Sequence, residues 1–257
     1  MVLPLAMGWR HLLFENYPIE PAVLDAHLPD ALDVDVHDGS GWLSVVPFTN
    51  VQVRPAGLPA RLGLPLPELN LRTYVTCDGE PGVYFFSLDA QGVLGVTGAR
   101  LFHHLPYYYA RISLGVADGD DDDGAAVPGA PGAGGLVRFT CRRRHPGARP
   151  AAYAATYGPS GPSFSAEPGS LAAFLTERYR FYTEDPAGRI RYADIDHERW
   201  TLYPATATVE RNTLFAADGF ERPDAEPTCY YSPGVDVRAS RSKRWRDERA
   251  DGRGGGA

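Results

Sequence analysis

Apolar and polar residues alternate along most of this chain in short runs bounded by glycine or proline. "WRHLLFEN" predicts a strand, and "YPIEPAVLDAHLP" a short helix with Pro21 in its first turn and Pro29 at its end. "GWLSVVPF", "LNLRTYVTC", "GVYFFSL" and "VLGVTGARL" are rich in β-branched and aromatic residues and predict a meander of antiparallel strands, which "LVRFTCRRR" and "AAYAATYG" continue. "GSLAAFLTERYRFYTED" predicts the one strong helix: Ser170 caps it, and Leu171, Phe174, Leu175, Tyr179 and Tyr182 share a face. Further strands in "RIRYADIDHERWTLYPATATVE", a short helix in "NTLFAADG" ending near Gly219, and a closing strand in "CYYSPGVDV" complete the pattern. The expected class is α+β, mainly β. Segment 117–135, "ADGDDDDGAAVPGAPGAGG", cannot bury apolar surface and predicts a flexible hairpin loop, since strand-like sequence resumes after it without a new domain signature. One domain over 1–240 and a disordered tail over 241–257 follow.

The same periodicity selects candidate chemistry. In "ELNLRTYVTC" it places Glu68, Asn70, Arg72, Tyr74 and Thr76 on one face and mostly apolar residues on the other. Two accounts fit: a strand with its polar face in water, or a curled sheet whose concave face gathers Glu68, Arg72 and Tyr74 around a small ligand. In "VTGARLFHH" Arg100 shares a face with apolar groups, where a guanidinium needs a carboxylate such as Glu68 or an anionic ligand. His103 and His104 point to opposite sides of an extended chain and cannot readily share a metal. His197 in "DIDHERW" is either a general base or a histidine hydrogen-bonded in a core.

Composition narrows the classes. A net charge of −7 with no basic face argues against nucleic acid, and no apolar run approaches the length of a membrane helix. The start lacks the basic segment of a signal peptide, so a cytoplasmic location is expected. Cys77, Cys141 and Cys229 form no C-x-x-C pair, and no histidine spacing suits a metal. Neither a glycine-rich phosphate cradle nor a serine-nucleophile elbow occurs, so no cofactor is called for. Lys243 is the one lysine.

Taken in order, "ELNLRTYV", "GVYFFSLDA", "ARLFHHLPYYYA", "FLTERYRFY", "IDHERWTL" and "YYSPGVDV" resemble the YqjF-like family of bacterial and archaeal proteins, from about Trp9 to Val237. The resemblance implies an acetoacetate decarboxylase-like fold, an antiparallel β-barrel or cone with a few flanking helices and a ligand in its interior. In the decarboxylases the segment resembling "GAR" and "LPYYYA" carries a Schiff-base lysine, and here Tyr107 or Tyr108 would take its place. An imine needs a primary amine, so that chemistry does not carry over. Glu68, Arg72 and Arg100 resemble the charged groups that line the decarboxylase pocket, and a tyrosine with a nearby histidine, His104 or His197, supplies acid/base groups. The resemblance also makes a homo-oligomer an expectation.

Three functions fit these residues. One is a lyase, hydratase or isomerase acting on a small carboxylate or keto acid, with Glu68, Asn70, Arg72, Tyr74 and Arg100 binding it and Tyr107 or Tyr108 moving protons. The others are a noncatalytic binder of a small organic acid or apolar metabolite, and a structural or oligomer-forming protein with a filled barrel.

Overall fold

Five long strands form a curved wall that the rest of the chain closes on both sides. The computed structural model describes residues 4–92, 105–117 and 135–245. The wall runs in the order β12 (Thr228–Ala239), β1 (Leu5–Ile19), β3 (Gly41–Pro55), β4 (Leu64–Cys77) and β5 (Glu80–Ala90), with each neighbouring pair antiparallel. One face is closed by β6 (Tyr107–Ala117), β7 (Leu136–Arg143), β8 (Ala152–Pro159) and β11 (Tyr203–Asn212), which makes a ring of nine strands. The other is closed by β9 (Arg180–Glu184) and β10 (Ile190–His197), which makes a second ring of seven. Both rings use the same two edges of the wall. On β5, Val83 and Tyr84 pair with β9, whereas Leu88–Ala90 pair with β6. On β12, Tyr230 and Tyr231 pair with β11, whereas Val237–Ala239 pair with β10.

Because side chains alternate along a strand, the wall serves each ring with every second residue. Leu13, Leu43, Val45, Leu69 and Leu71 point into the nine-stranded ring, which apolar side chains from β6, β7 and β8 fill. Leu12, Phe14, Val46 and Phe48 point the other way. Bulges hold this division along strands too long and curved for uninterrupted alternation. His11 on β1 and Gln52 on β3 both have φ of 57°, and the pairing of β1 with β3 and of β3 with β4 shifts at these points. An inserted residue reverses the facing of all that follow, so the set Leu5, Met7, Trp9 changes phase to Leu12, Phe14 without leaving the seven-stranded side. Gly63 lies against the Gln52 bulge, where a Cβ would come within 2.3 Å of the Gln52 backbone. Gly234, at φ +129°, lets β12 approach Trp9 to a distance that a Cβ would block.

The structure corrects three expectations. The sheet is mixed rather than antiparallel: β5 pairs in parallel with both β6 and β9, which reach it after long connections instead of hairpin turns. The strong helix is short, α2 (Leu171–Thr176), with Ser170 capping Ala173 N–H. Beyond it "RFYTE" becomes β9, since Phe181 and Tyr182 gain partners on Val83 and Tyr84 that outweigh a local helical period. The tail is ordered at its beginning: Lys243–Arg244 form β13 on β10, and Trp245 packs edge-on against Tyr182 and Tyr192. The expected strand "VLGVTGARL" and the rest of the tail lie outside the described residues, as does most of the 117–135 loop. β6 and β7 pair antiparallel from Ala117↔Leu136, so that segment joins a hairpin. Two further α-helices among the described residues are short, α1 (Pro21–Asp25) with Pro21 in its first turn and α3 (Leu214–Ala217). β2 (Asp33–Val34) adds an edge to β4. Among the described residues no helix is long and apolar enough to cross a membrane.

Candidate functional site

The seven-stranded ring encloses a cavity of about 510 Å³. Its polar end is built on β4, where Glu68, Asn70 and Arg72 project into it in succession. Glu68 is buried, and its Oε2 accepts from Tyr107 Oη at 3.0 Å and Asn50 Nδ2 at 3.2 Å. Burial raises the Glu68 carboxyl from 4.5 to about 7, and the donors Tyr107, Asn50 and Asn70 offset only part of that cost. Burial and the neighbouring Glu68 in turn push the Tyr107 phenol well above its usual range. The pair is therefore a carboxyl that titrates near neutrality with a phenol that stays protonated.

Arg72 differs from the other cavity-lining arginines. Arg178 pairs with Asp35 at 2.7 Å and Arg180 with Asp194 at 2.8 Å. Arg72 Nη2 donates to the Leu175 carbonyl at 3.1 Å, and the guanidinium lies 5.5 Å from the Phe14 ring centroid and 5.7 Å from that of Tyr74. Among the described residues no carboxylate pairs with it, and its buried Nε has no hydrogen-bond partner. Asn70 Oδ1, also buried, lacks a partner among the same residues. One donor and one acceptor at the polar end are thus left unmatched, an arrangement that costs free energy until something fills it.

The end beyond Arg72 is closed by α2, whose Leu175 carbonyl also accepts from Tyr74 Oη at 2.8 Å. Tyr74 keeps to the predicted face but is fully buried there, bonded to Ser44 and Asn16 as well, and does not line the cavity. His197 lines it from β10, packed among Trp9, Tyr179 and Trp200. Its Nδ1 lies 2.6 Å from the Glu198 carbonyl, which only accepts, so Nδ1 carries the hydrogen and Nε2 is left as an acceptor. Burial lowers its pKa and favours this neutral form.

Pairing in parallel with β5 settles the direction of the tyrosine run. Leu88↔Tyr107 sends Tyr107 into the cavity. Tyr108 faces the opposite side, 4.1 Å beneath the Arg143 guanidinium, in a separate hollow that also includes His145 and Asp218. Arg143 is held there by a two-pronged pair with Asp89 at 2.7 and 2.8 Å. Arg100 and His104 lie outside the described residues. Lys243 sits on β13 with its ammonium 3.4 Å from Asp194 and does not line the cavity. Asn50, Trp9 and Trp200 join the site without having been selected from the sequence. Only bulges and pairings between distant strands bring them in. No cluster of histidine, cysteine and acidic residues suited to a metal occurs among the described residues.

The chain is similar to proteins known by sequence and by structure. It is 37% identical over 238 residues to "Uncharacterized protein YqjF" of Bacillus subtilis (strain 168), covering 92% of this chain and 90% of that protein. Among solved structures it resembles the enduracididine biosynthesis enzyme MppR complexed with pyruvate, with a TM-score of 0.66 at 15% identity, over 96% of this chain and 92% of that one. An acetoacetate decarboxylase-like enzyme from Sphingomonas wittichii RW1 superposes with a TM-score of 0.63 at 17% identity, over 95% and 93%. At such identities these two likenesses establish the fold, which is acetoacetate decarboxylase-like. Residues 6–236 match the model of DUF2071, "Uncharacterized conserved protein (COG2071)", and the chain belongs to that family.

Proposed function

We propose that the chain binds a small carboxylate or keto acid in the seven-stranded ring and acts on it by acid/base chemistry without a covalent imine. The observation that carries this reading is Arg72, a cavity-lining guanidinium with a buried, unmatched Nε and no carboxylate among the described residues. An anionic oxygen placed there gains a charge-assisted bond from the guanidinium, and the unmatched Asn70 Oδ1 is left to accept from a hydroxyl or enol of the same ligand. Glu68, protonated below about pH 7, offers a proton to a carbonyl or enolate carbon of the bound acid, and Tyr107 holds the carboxylate formed when that proton leaves. His197 Nε2 supplies a neutral base that takes a proton from the substrate as Glu68 gives one, and exchange with water restores both groups. These are the steps of a lyase, hydratase or isomerase. Schiff-base chemistry has no place in the proposal, because the chain's one lysine stands on β13. That MppR, a fold relative, is complexed with pyruvate supports the class of ligand.

Screening keto and hydroxy acids by thermal shift, with NMR to detect product, tests the proposal. Arg72→Gln is expected to weaken carboxylate binding ten- to a hundredfold while the protein stays folded. Unchanged affinity in that variant would remove the basis of the reading.

A further inference from the structure

We infer that the ligand is an amphiphile, a carboxylic acid with an alkyl body of several carbons, held with its head at the closed end of the cavity and its tail toward the mouth. This rests on the reading of Arg72 as the site of the acid group and extends it to the rest of the chamber. The cavity is far larger than a three-carbon acid needs: about 510 Å³ lies within the range of roughly 300–1,000 Å³ that holds drug-sized molecules.

The lining is also sorted along its length. On β4, Arg72, Asn70 and Glu68 are followed on the same face by Leu66 and Leu64. At about 3.3 Å per residue the eight steps from Arg72 to Leu64 span roughly 26 Å. The strand register sets Val53 of β3 opposite Leu64 and Leu5 of β1 opposite Pro55, so the far end is walled by aliphatic side chains. Leu64 is 64% exposed and marks the way out to solvent, while α2 closes the Arg72 end. A polar closed end and an aliphatic mouth fit a molecule with one charged end and one alkyl end. An acid without a tail would leave the aliphatic stretch in contact with water.

The test is a series of straight-chain carboxylates, acetate to decanoate, titrated calorimetrically against the full chain, its Arg72→Gln variant and its Leu66→Trp variant, with circular dichroism to verify folding. Affinity is expected to rise about fourfold per methylene until the tail reaches the mouth. Arg72→Gln is expected to lower every member by a common factor, and Leu66→Trp, which fills the aliphatic stretch, to reduce the slope. If Leu66→Trp does not fold, Val53→Phe makes the same obstruction from β3. Equal affinity across the series would overturn the alkyl body and leave the carboxylate reading intact. A rising series indifferent to Arg72→Gln, matched by alcohols of equal length, would overturn the acid head and with it the reading on which this inference stands.

Discussion

Glu15 and Glu68 are both buried carboxyls on the shared wall, both raised in pKa by burial, and both bonded to tyrosine hydroxyls, yet they belong to opposite rings. Glu15 projects into the filled nine-stranded ring, where Tyr17 and Tyr153 each donate to one of its oxygens. Both oxygens of this carboxyl are matched, and the neighbouring space is packed with apolar side chains. Glu68 projects into the cavity, next to an Asn70 oxygen and an Arg72 nitrogen that lack partners among the described residues. What separates a structural acid from a candidate functional one here is neither burial nor pKa but whether its surroundings are complete. Strong desolvation alone would have selected both.

Removing Glu15 should have the largest effect. Glu15→Ala leaves a void and two tyrosine hydroxyls without their acceptor, and should cost about 3–4 kcal/mol of stability in urea unfolding. Carboxylate affinity of the protein that remains folded should stay within about twofold. A large loss of affinity would mean that the two rings are not independent.

Glu68→Gln should act on pH dependence. A carboxyl whose pKa is raised on folding contributes stability that is fully present below about 4.5 and lost as pH rises through about 7. The wild-type protein should therefore lose on the order of 3 kcal/mol relative to Glu68→Gln between pH 4.5 and 8. Carboxylate binding should weaken over the same rise in pH in the wild type, as Glu68 becomes charged, and not in the variant. Parallel stability curves would show that Glu68 is not the neutral acid its surroundings make it.

The smallest expected effect separates the two tyrosines. Tyr107→Phe takes a donor from the Glu68 carboxylate, so the midpoint for ligand binding against pH should move up by roughly one unit. Tyr108→Phe, on the far side of the sheet, should leave that midpoint in place. Equal shifts in both would show that the run acts as an aromatic cluster.

The sequence discloses β4 well, because its alternation is unbroken from Leu64 to Arg72, and Glu68, Asn70 and Arg72 do share the cavity. It discloses β1, β3 and β5 less well. Each changes phase where an extra residue enters, near His11, Gln52 and Phe86, and a period-two reading carried through such a point assigns half the strand to the wrong face. Tyr74 obeys the period and still misses the cavity, because α2 folds over that level of the wall and no local signal announces it. The chain's preference for a helix through Tyr182 yields to the free edge of β5, a partner about a hundred residues earlier in sequence. Tyr107 and Tyr108 could be separated only by knowing which of them stands opposite Leu88.

A wall with two inhabited faces has an evolutionary use. Substitutions at alternate positions of β1, β3 and β4 reshape the cavity while the residues between them, which hold the packed barrel together, stay as they are. The cavity's shape can drift on one side of the same peptide backbone while the packing of the nine-stranded ring on the other is kept.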